Sequence, residues 1–289
     1  MISNPVYKDL KSNGLIKDEN LSIISTETRD EKMKVFLDLK SKIIFLEEYI
    51  TKRKYYQENA SGKITDDFFI KNGYYEDDIR RYEQFNKFII NKKILDFGCE
   101  WGGFLSIAEE KASFSAGLEL NLNCIDYMKK NLKKTSVFSE FDEINNSFDT
   151  ITTFHCLEHI PNQIAILKQL YNLLNENGLL IVEVPHAKDF LIQSVDLPKF
   201  KKFTFWSEHL VLHTEASLKK FLSLAGFKEI KVQNFQRYSF TNHLGWFLDG
   251  KPGGHVKYSN LYDERLNDAY SKSRCATKTA DTLIAFAKK

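Results

Sequence analysis

A chain of 289 residues with 43% hydrophobic content can bury a substantial core, as one large domain with additions or as two small ones. Its 41 basic residues nearly cancel 39 acidic ones, and the lysine-rich stretches at 129–134 and 199–202 are short and broken by apolar residues, so no nucleic-acid partner is expected. No run approaches the ~18 apolar residues of a membrane span, the N-terminus has no charged-then-apolar leader plan, and Cys99, Cys124, Cys156 and Cys275 show no CxxC spacing, so a cytoplasmic protein without a disulfide framework or structural zinc is expected.

In chain order, residues 1–90 read as an N-terminal cap of hairpin and helices. "KVFLDLKSKIIFL" (34–46) reads as a β-hairpin, although Val35, Phe36, Leu39, Ile43 and Leu46 also suit one helix face, and "YYEDDIRRYEQFNKFI" (74–89) reads as a helix. From about residue 92, strand and helix patterns alternate. Strand 94–97 runs into glycines, helix 103–111 follows, then strand 114–120, helix 124–132 and a weaker strand near Val137. "SFDTITTFHCL" (147–157) carries a fourth strand, 164–174 a helix, and "GLLIVEVP" (178–185) a fifth strand stopped by Pro185. "TEASLKKFLSLAGF" (214–227) opens on a Thr214 cap and stops at Gly226, as a helix should. The strand "KEIKVQNF" follows, then an aromatic-rich insertion at 236–280 and a last strand over 281–289. This α/β alternation calls for a mostly parallel sheet with helices on both faces and a ligand at the strands' carboxyl ends.

The turn in "ILDFGCEWGGF" (94–104) combines Gly98, Gly102 and Gly103 with Glu119 at the end of the next strand, a ribose-binding arrangement. Glu100 stands where a dinucleotide fingerprint puts its second glycine. A carboxylate about 4 Å from a phosphate charge costs on the order of 4 kcal/mol at an effective dielectric of ~20. Phosphate ligands are therefore disfavoured, and a cationic nucleoside suits the turn.

"ILDFGCEWGGF", "GLEL", "FDTITTFHCLEHIPN" and "LNENGLLIVEVP" resemble, in order and spacing, the successive motifs of class I S-adenosylmethionine-dependent methyltransferases. The resemblance implies a Rossmann-like, seven-stranded core over 91–235 that binds S-adenosylmethionine. It places Asp96 and Gly98 by the methionine part, Gly102 in the turn, Glu119 on the ribose and Leu120 on adenine. Glu140, or alternatively Asp142 or Glu143, meets the adenine amino group. His155 is expected at the cofactor, Glu158 and His159 as base or orienter, and Arg81 at the cofactor carboxylate or on the helix surface. "FWSEHLVLHTEASL" resembles the acid-histidine segment of bacterial sugar methyltransferases, which implies His209 as general base with Glu208 as partner, raising the imidazole's proton affinity.

His209 and His213 are spaced like two metal ligands, with Glu158 and His159 as conceivable partners, but no third fixed ligand is evident and no metal is expected. In the insertion, Tyr238, Asn242, His243 and Trp246 suit a sugar ring, and the segment resembles one in methyltransferases of surface-polysaccharide biosynthesis. The N-terminal hairpin is similar to the leading domain of sugar C-methyltransferases, without its zinc-binding cysteines. The expected reaction is therefore methylation of a small-molecule or glycan acceptor, chiefly at a hydroxyl of a nucleotide-linked sugar. A quinol or small-phenol O-methyltransferase, which "LEHIPN" also resembles, is the rival enzyme, and a non-catalytic cofactor-binding protein the rival of another class.

Overall fold

The computed structural model describes residues 2–59 and 76–289. In chain order they form α1 Pro5–Ser12, β1 Leu21–Ser25, β2 Val35–Asp38, β3 Ile44–Leu46, α2 Arg53–Glu58 and α3 Glu76–Phe85. The alternating part follows as β4 Lys93–Phe97, α4 Gly103–Ala108, β5 Phe114–Leu118, α5 Leu122–Asn131, β6 Thr135–Phe138, β7 Phe148–Phe154, α6 Gln163–Leu173 and β8 Leu174–Pro185. The remainder is α7 Pro198–Thr204, β9 Val211–Leu212, α8 Glu215–Leu224, β10 Lys228–Phe235, α9 Phe240–Asp249, α10 Gly254–Lys257, α11 Glu264–Ala276 and β11 Thr282–Lys288. Tyr74 and Tyr75, expected in the helix that became α3, lie outside the described residues.

The main sheet has seven strands in the order β10-β11-β8-β7-β4-β5-β6. The five strands from β8 to β6 are mutually parallel, while β11 runs antiparallel to both its neighbours. This is the Rossmann-like α/β fold expected, and its parallel strands are apolar on both faces because helices cover both. Ile94, Leu95 and Ile151 are at most 1% exposed. Strand order reverses at β4, with β5 on one side and β7 on the other, so a crevice opens above its carboxyl end.

The segment 34–46 is a hairpin and not a helix: β2 and β3 pair antiparallel, Val35 opposite Leu46. Two strands were not anticipated. β1 pairs with β2, and the two-residue β9 pairs with β3, making a four-stranded antiparallel sheet. The N-terminal cap thus shares a sheet with the segment just after Glu208 and His209. Asn4 reinforces this junction. Its Oδ1 caps α1 by accepting from Val6 N at 3.0 Å, and its Nδ2 donates to the carbonyls of Leu46 and Leu210 at 2.9 and 2.8 Å. Among the described residues, no helix is long and apolar enough to cross a membrane.

Candidate active site

Above β4, β5 and β7 the described residues enclose a cavity of about 1340 Å³, beyond the 300–1,000 Å³ typical of a single ligand pocket. Room remains for a second molecule beside a nucleoside cofactor. The glycine turn forms its floor. Gly98 has φ 72°, and a Cβ there would lie 2.3 Å from Cys156 Sγ, so no other residue fits. Gly102, at φ 77°, does not line the cavity; a Cβ would meet Met128 Sδ at 2.8 Å, so its role is packing and the start of α4. Glu100 does line it and adopts φ 49°, a left-handed conformation that costs a side-chain-bearing residue about 1–2 kcal/mol.

Glu100 N donates to Glu119 Oε2 at 2.9 Å, and Glu119 Oε1 accepts from Leu120 N and Asn121 N at 2.7 and 2.9 Å. These bonds hold the strained turn to the end of β5. They also use three of the roughly four acceptor positions of a carboxylate. Asp96 is buried with Oδ1 accepting from Thr152 Oγ1 at 2.7 Å. Burial lifts its carboxyl to about 7, only partly offset by Thr152 and Arg81.

Beyond the carboxyl ends of β5 and β6, Leu120, Glu140, Phe141 and Asp142 line the cavity, and Phe141 stacks on Phe97 at 5.6 Å. Glu140 pairs with Arg53 of α2, which competes with the expected adenine contact. Glu143 does not line the cavity: it braces the turn, accepting from Ser139 N at 2.7 Å and Glu140 N at 3.2 Å.

The histidines gather opposite the glycine turn. His155 takes φ 50° with Nδ1 3.3 Å from Glu158 Oε1 and Nε2 3.3 Å from Glu183 Oε1. Burial opposes its protonation, but these two carboxylates outweigh burial and raise it above its ordinary value. His159 and His209 pack edge to face at 4.9 Å, and both line the cavity. Burial lowers His159 to about 4 and His209 to about 3. The expected tuning of His209 by Glu208 is therefore corrected: desolvation dominates, and Glu208 Oε2 faces His159 Nδ1 instead, at 3.8 Å. His213 is withdrawn from any metal set, its Nε2 being 2.8 Å from Gln163 Oε1 and its Nδ1 3.0 Å from Ser217 Oγ.

The insertion supplies the outer wall through Tyr238, Asn242, Trp246 and His255, with Asn242 Nδ2 3.0 Å from His255 Nδ1. His243 is not part of it; its Nδ1 is bonded to Tyr270 Oη at 2.7 Å in the helical packing behind. Glu183, not among the residues expected at the site, is fully buried and accepts from both Arg80 (2.9 Å) and Arg81 (2.8 Å). Burial would raise this carboxyl, but Arg81, His155 and Arg80 together hold it well below its usual value. Arg81 is thereby a buried partner of Glu183 that also lines the cavity, not a surface charge. An acid inside the apolar run "IVEVP" was the available signal, because such a group is buried only with partners. Arg29, whose guanidinium lies 4.4 Å over the Trp206 ring at the cavity edge, gave no such signal.

The sheet order, the glycine turn and the acid ending β5 define a nucleoside-binding protein of the Rossmann-like class. A family model described as a methyltransferase domain matches residues 68–232, more than half of the chain. The chain belongs to that methyltransferase domain family. Among curated relatives, it is 29% identical over 106 residues to a ubiquinone biosynthesis O-methyltransferase of Actinobacillus pleuropneumoniae, covering 32% of this chain and 45% of that protein. It is 27% identical over 153 residues to a ubiquinone/menaquinone biosynthesis C-methyltransferase of Rhizobium meliloti, covering 50% and 55%. The chain thus spans about half the length of the curated relatives it matches. A solved SAM-dependent methyltransferase from Archaeoglobus fulgidus shares the fold, with a TM-score of 0.52 and 18% identity over 77% of this chain and 98% of that one.

The pocket's own chemistry fits S-adenosylmethionine. Carboxylates outnumber arginines among the described lining residues, and the buried Asp96 carboxylate lacks full charge compensation. An ammonium and a sulfonium meet that need; a pyrophosphate would aggravate it.

Proposed function

We propose that this chain transfers a methyl group from S-adenosylmethionine to a hydroxyl oxygen on a ring-shaped acceptor, in the first place a nucleotide-linked sugar or glycan intermediate. When bound, the cofactor supplies a methyl group already activated on a sulfonium, so the protein's work is alignment, exclusion of water and disposal of the hydroxyl proton. Asp96 and Glu100 would meet the cofactor's ammonium, Glu119 one ribose hydroxyl, and Leu120 and Phe141 the adenine. The observation that carries the acceptor reading is the wall built by the insertion. There the aromatic side chains of Tyr238 and Trp246 line the cavity together with the polar side chains of Asn242 and His255, a mixture that suits a sugar's apolar faces and hydroxyl rim. This wall lies outside the stretch shared with the methyltransferase domain model, so the relatives' acceptors do not transfer to it.

Burial leaves His159 and His209 neutral at working pH, so neither keeps the acceptor's proton. Glu208, raised by burial and only partly offset by Tyr55, faces the same cavity and takes that proton. A quinol or small phenol is the second reading, favoured by Phe200, Phe203 and Trp206 along the same wall.

The test uses cofactor labelled in its methyl group with parallel panels of nucleotide sugars and of catechols and quinols. Label on a nucleotide sugar is the expected result, label confined to phenols moves the assignment to the second reading, and calorimetry with no S-adenosylmethionine binding ends both. Glu208→Gln should lower turnover about 10²–10⁴-fold with cofactor affinity retained; full turnover would remove the proton role.

A further inference from the structure

We propose that Glu158, His159 and His209 form a site for a divalent first-row transition ion of the zinc type, placed to hold the acceptor's oxygen. One ligand-bearing atom of each residue lies within 4.8 Å of the other two, and His159 Nε2 is 4.0 Å from Glu158 Oε1. Bonds of about 2.0–2.2 Å to an ion would bring such atoms to about 3–3.5 Å apart, a contraction that small side-chain rotations supply.

Proximity alone would not make a site. Glu158 has a side chain only 1% exposed, yet neither of its carboxylate oxygens has a hydrogen-bond partner among the described residues. His155 Nδ1 stands 3.3 Å from Oε1 in an ion-pair contact, and Oε2 has no such neighbour. His155 compensates this buried charge at Oε1, and the buried Oε2 is left without a hydrogen bond among the described residues, which costs about 1–3 kcal/mol unless another donor or a metal meets it. His209 Nδ1 is likewise buried and without a partner. The His159 ring is turned so that Nε2 faces Glu158 while Nδ1 faces Glu208 Oε2 at 3.8 Å. A carboxylate behind the far nitrogen of a ligating imidazole is the usual outer support of a metal-bound histidine.

Two imidazoles and one carboxylate select zinc-like ions over magnesium or calcium, which prefer all-oxygen sets. Three protein ligands leave at least one coordination position open, as in catalytic sites. All three residues line the cavity, so the open position faces the acceptor side. An acceptor hydroxyl bound there would be both oriented and acidified. This rests on the acceptor reading above for its purpose, but not for its existence.

The metal titrations therefore omit cofactor and acceptor. Full-length protein is stripped with chelator and titrated with zinc by calorimetry, with magnesium as a control, and with cobalt by visible absorption. One saturable equivalent of zinc is expected, with a cobalt spectrum free of thiolate charge-transfer bands. His159→Ala and His209→Ala should each weaken zinc binding about a hundredfold or more, above the 10–100-fold of an outer-shell change. S-adenosylmethionine affinity should persist in both, and circular dichroism reports their folding. Absence of saturable zinc binding, a thiolate spectrum implicating the nearby Cys156, or folded variants that bind zinc as tightly as the parent each overturn the site. If a variant does not fold, the cobalt spectrum of the unaltered protein decides. Absence of zinc binding by the unaltered protein with intact cofactor binding sinks the metal site alone, and the reverse sinks the cofactor reading alone.

Discussion

Asp96 meets the cofactor pocket with a carboxyl that burial has lifted to about 7. In the contact proposed above, the ammonium of S-adenosylmethionine would favour the ionised form, which puts the value in the complex below that of the free protein. The complex then holds fewer protons than the free protein at intermediate pH. Affinity is complete above about 7 and falls as pH drops through that value, by up to about tenfold per pH unit until the complex's own value is reached. Calorimetry between about pH 5 and pH 8 should show this slope, and Asp96→Asn should lower affinity and flatten it. A pH-independent affinity in the parent protein would exclude the contact. Glu100 makes a different point at the same scale. Its charge was readable in the sequence, but its left-handed backbone was not, because only the finished turn, tied to Glu119, shows why a carboxylate is tolerated where glycine is the easy choice.

Short elements carry the acceptor side of the pocket. β9 has two residues, too few for any periodic pattern, yet it fixes where the loop bearing Glu208 and His209 leaves the N-terminal sheet. Long periodic segments such as α6, α8 and the parallel strands were legible for the opposite reason: each repeats its apolar spacing over several turns or pleats. The pairing of Glu208 with His159 and not with its sequence neighbour His209 lies beyond such reading, since the turn closed by His209 N on Trp206 O sets the two side-chain directions. Asn4 gives this junction a measurable strength. Asn4→Ala removes a helix cap and strips a partner from the buried carbonyls of Leu46 and Leu210, at a cost of about 1–3 kcal/mol. Urea unfolding measures that loss, and because the pocket's acceptor side hangs from this junction, acceptor KM should rise while cofactor affinity stays.

Across the molecule, Glu183 joins α3, β8 and the His155 turn, and Arg237 extends the network by pairing with Asp77. Glu183→Gln keeps the shape but removes the charge shared by two arginines, which retain Asp77 and Asp78 as partners, so denaturant titration should show a loss of stability below the ~3–5 kcal/mol of a wholly uncompensated buried charge. The His155 titration, followed by NMR, should move to lower pH in the same variant, because burial then acts with less opposition. An unchanged His155 titration would show that Glu183 does not set its charge. The sheet's far edge has a separate implication. β10 and β11 are antiparallel neighbours, with Phe235 opposite Thr282, so everything between them is anchored at two points about 4.8 Å apart. Such a pair of anchors does not register the length or content of what it holds. A different excursion could be spliced between these strands with the nucleoside site untouched, giving evolution, or an engineer, a way to retarget the enzyme without rebuilding it.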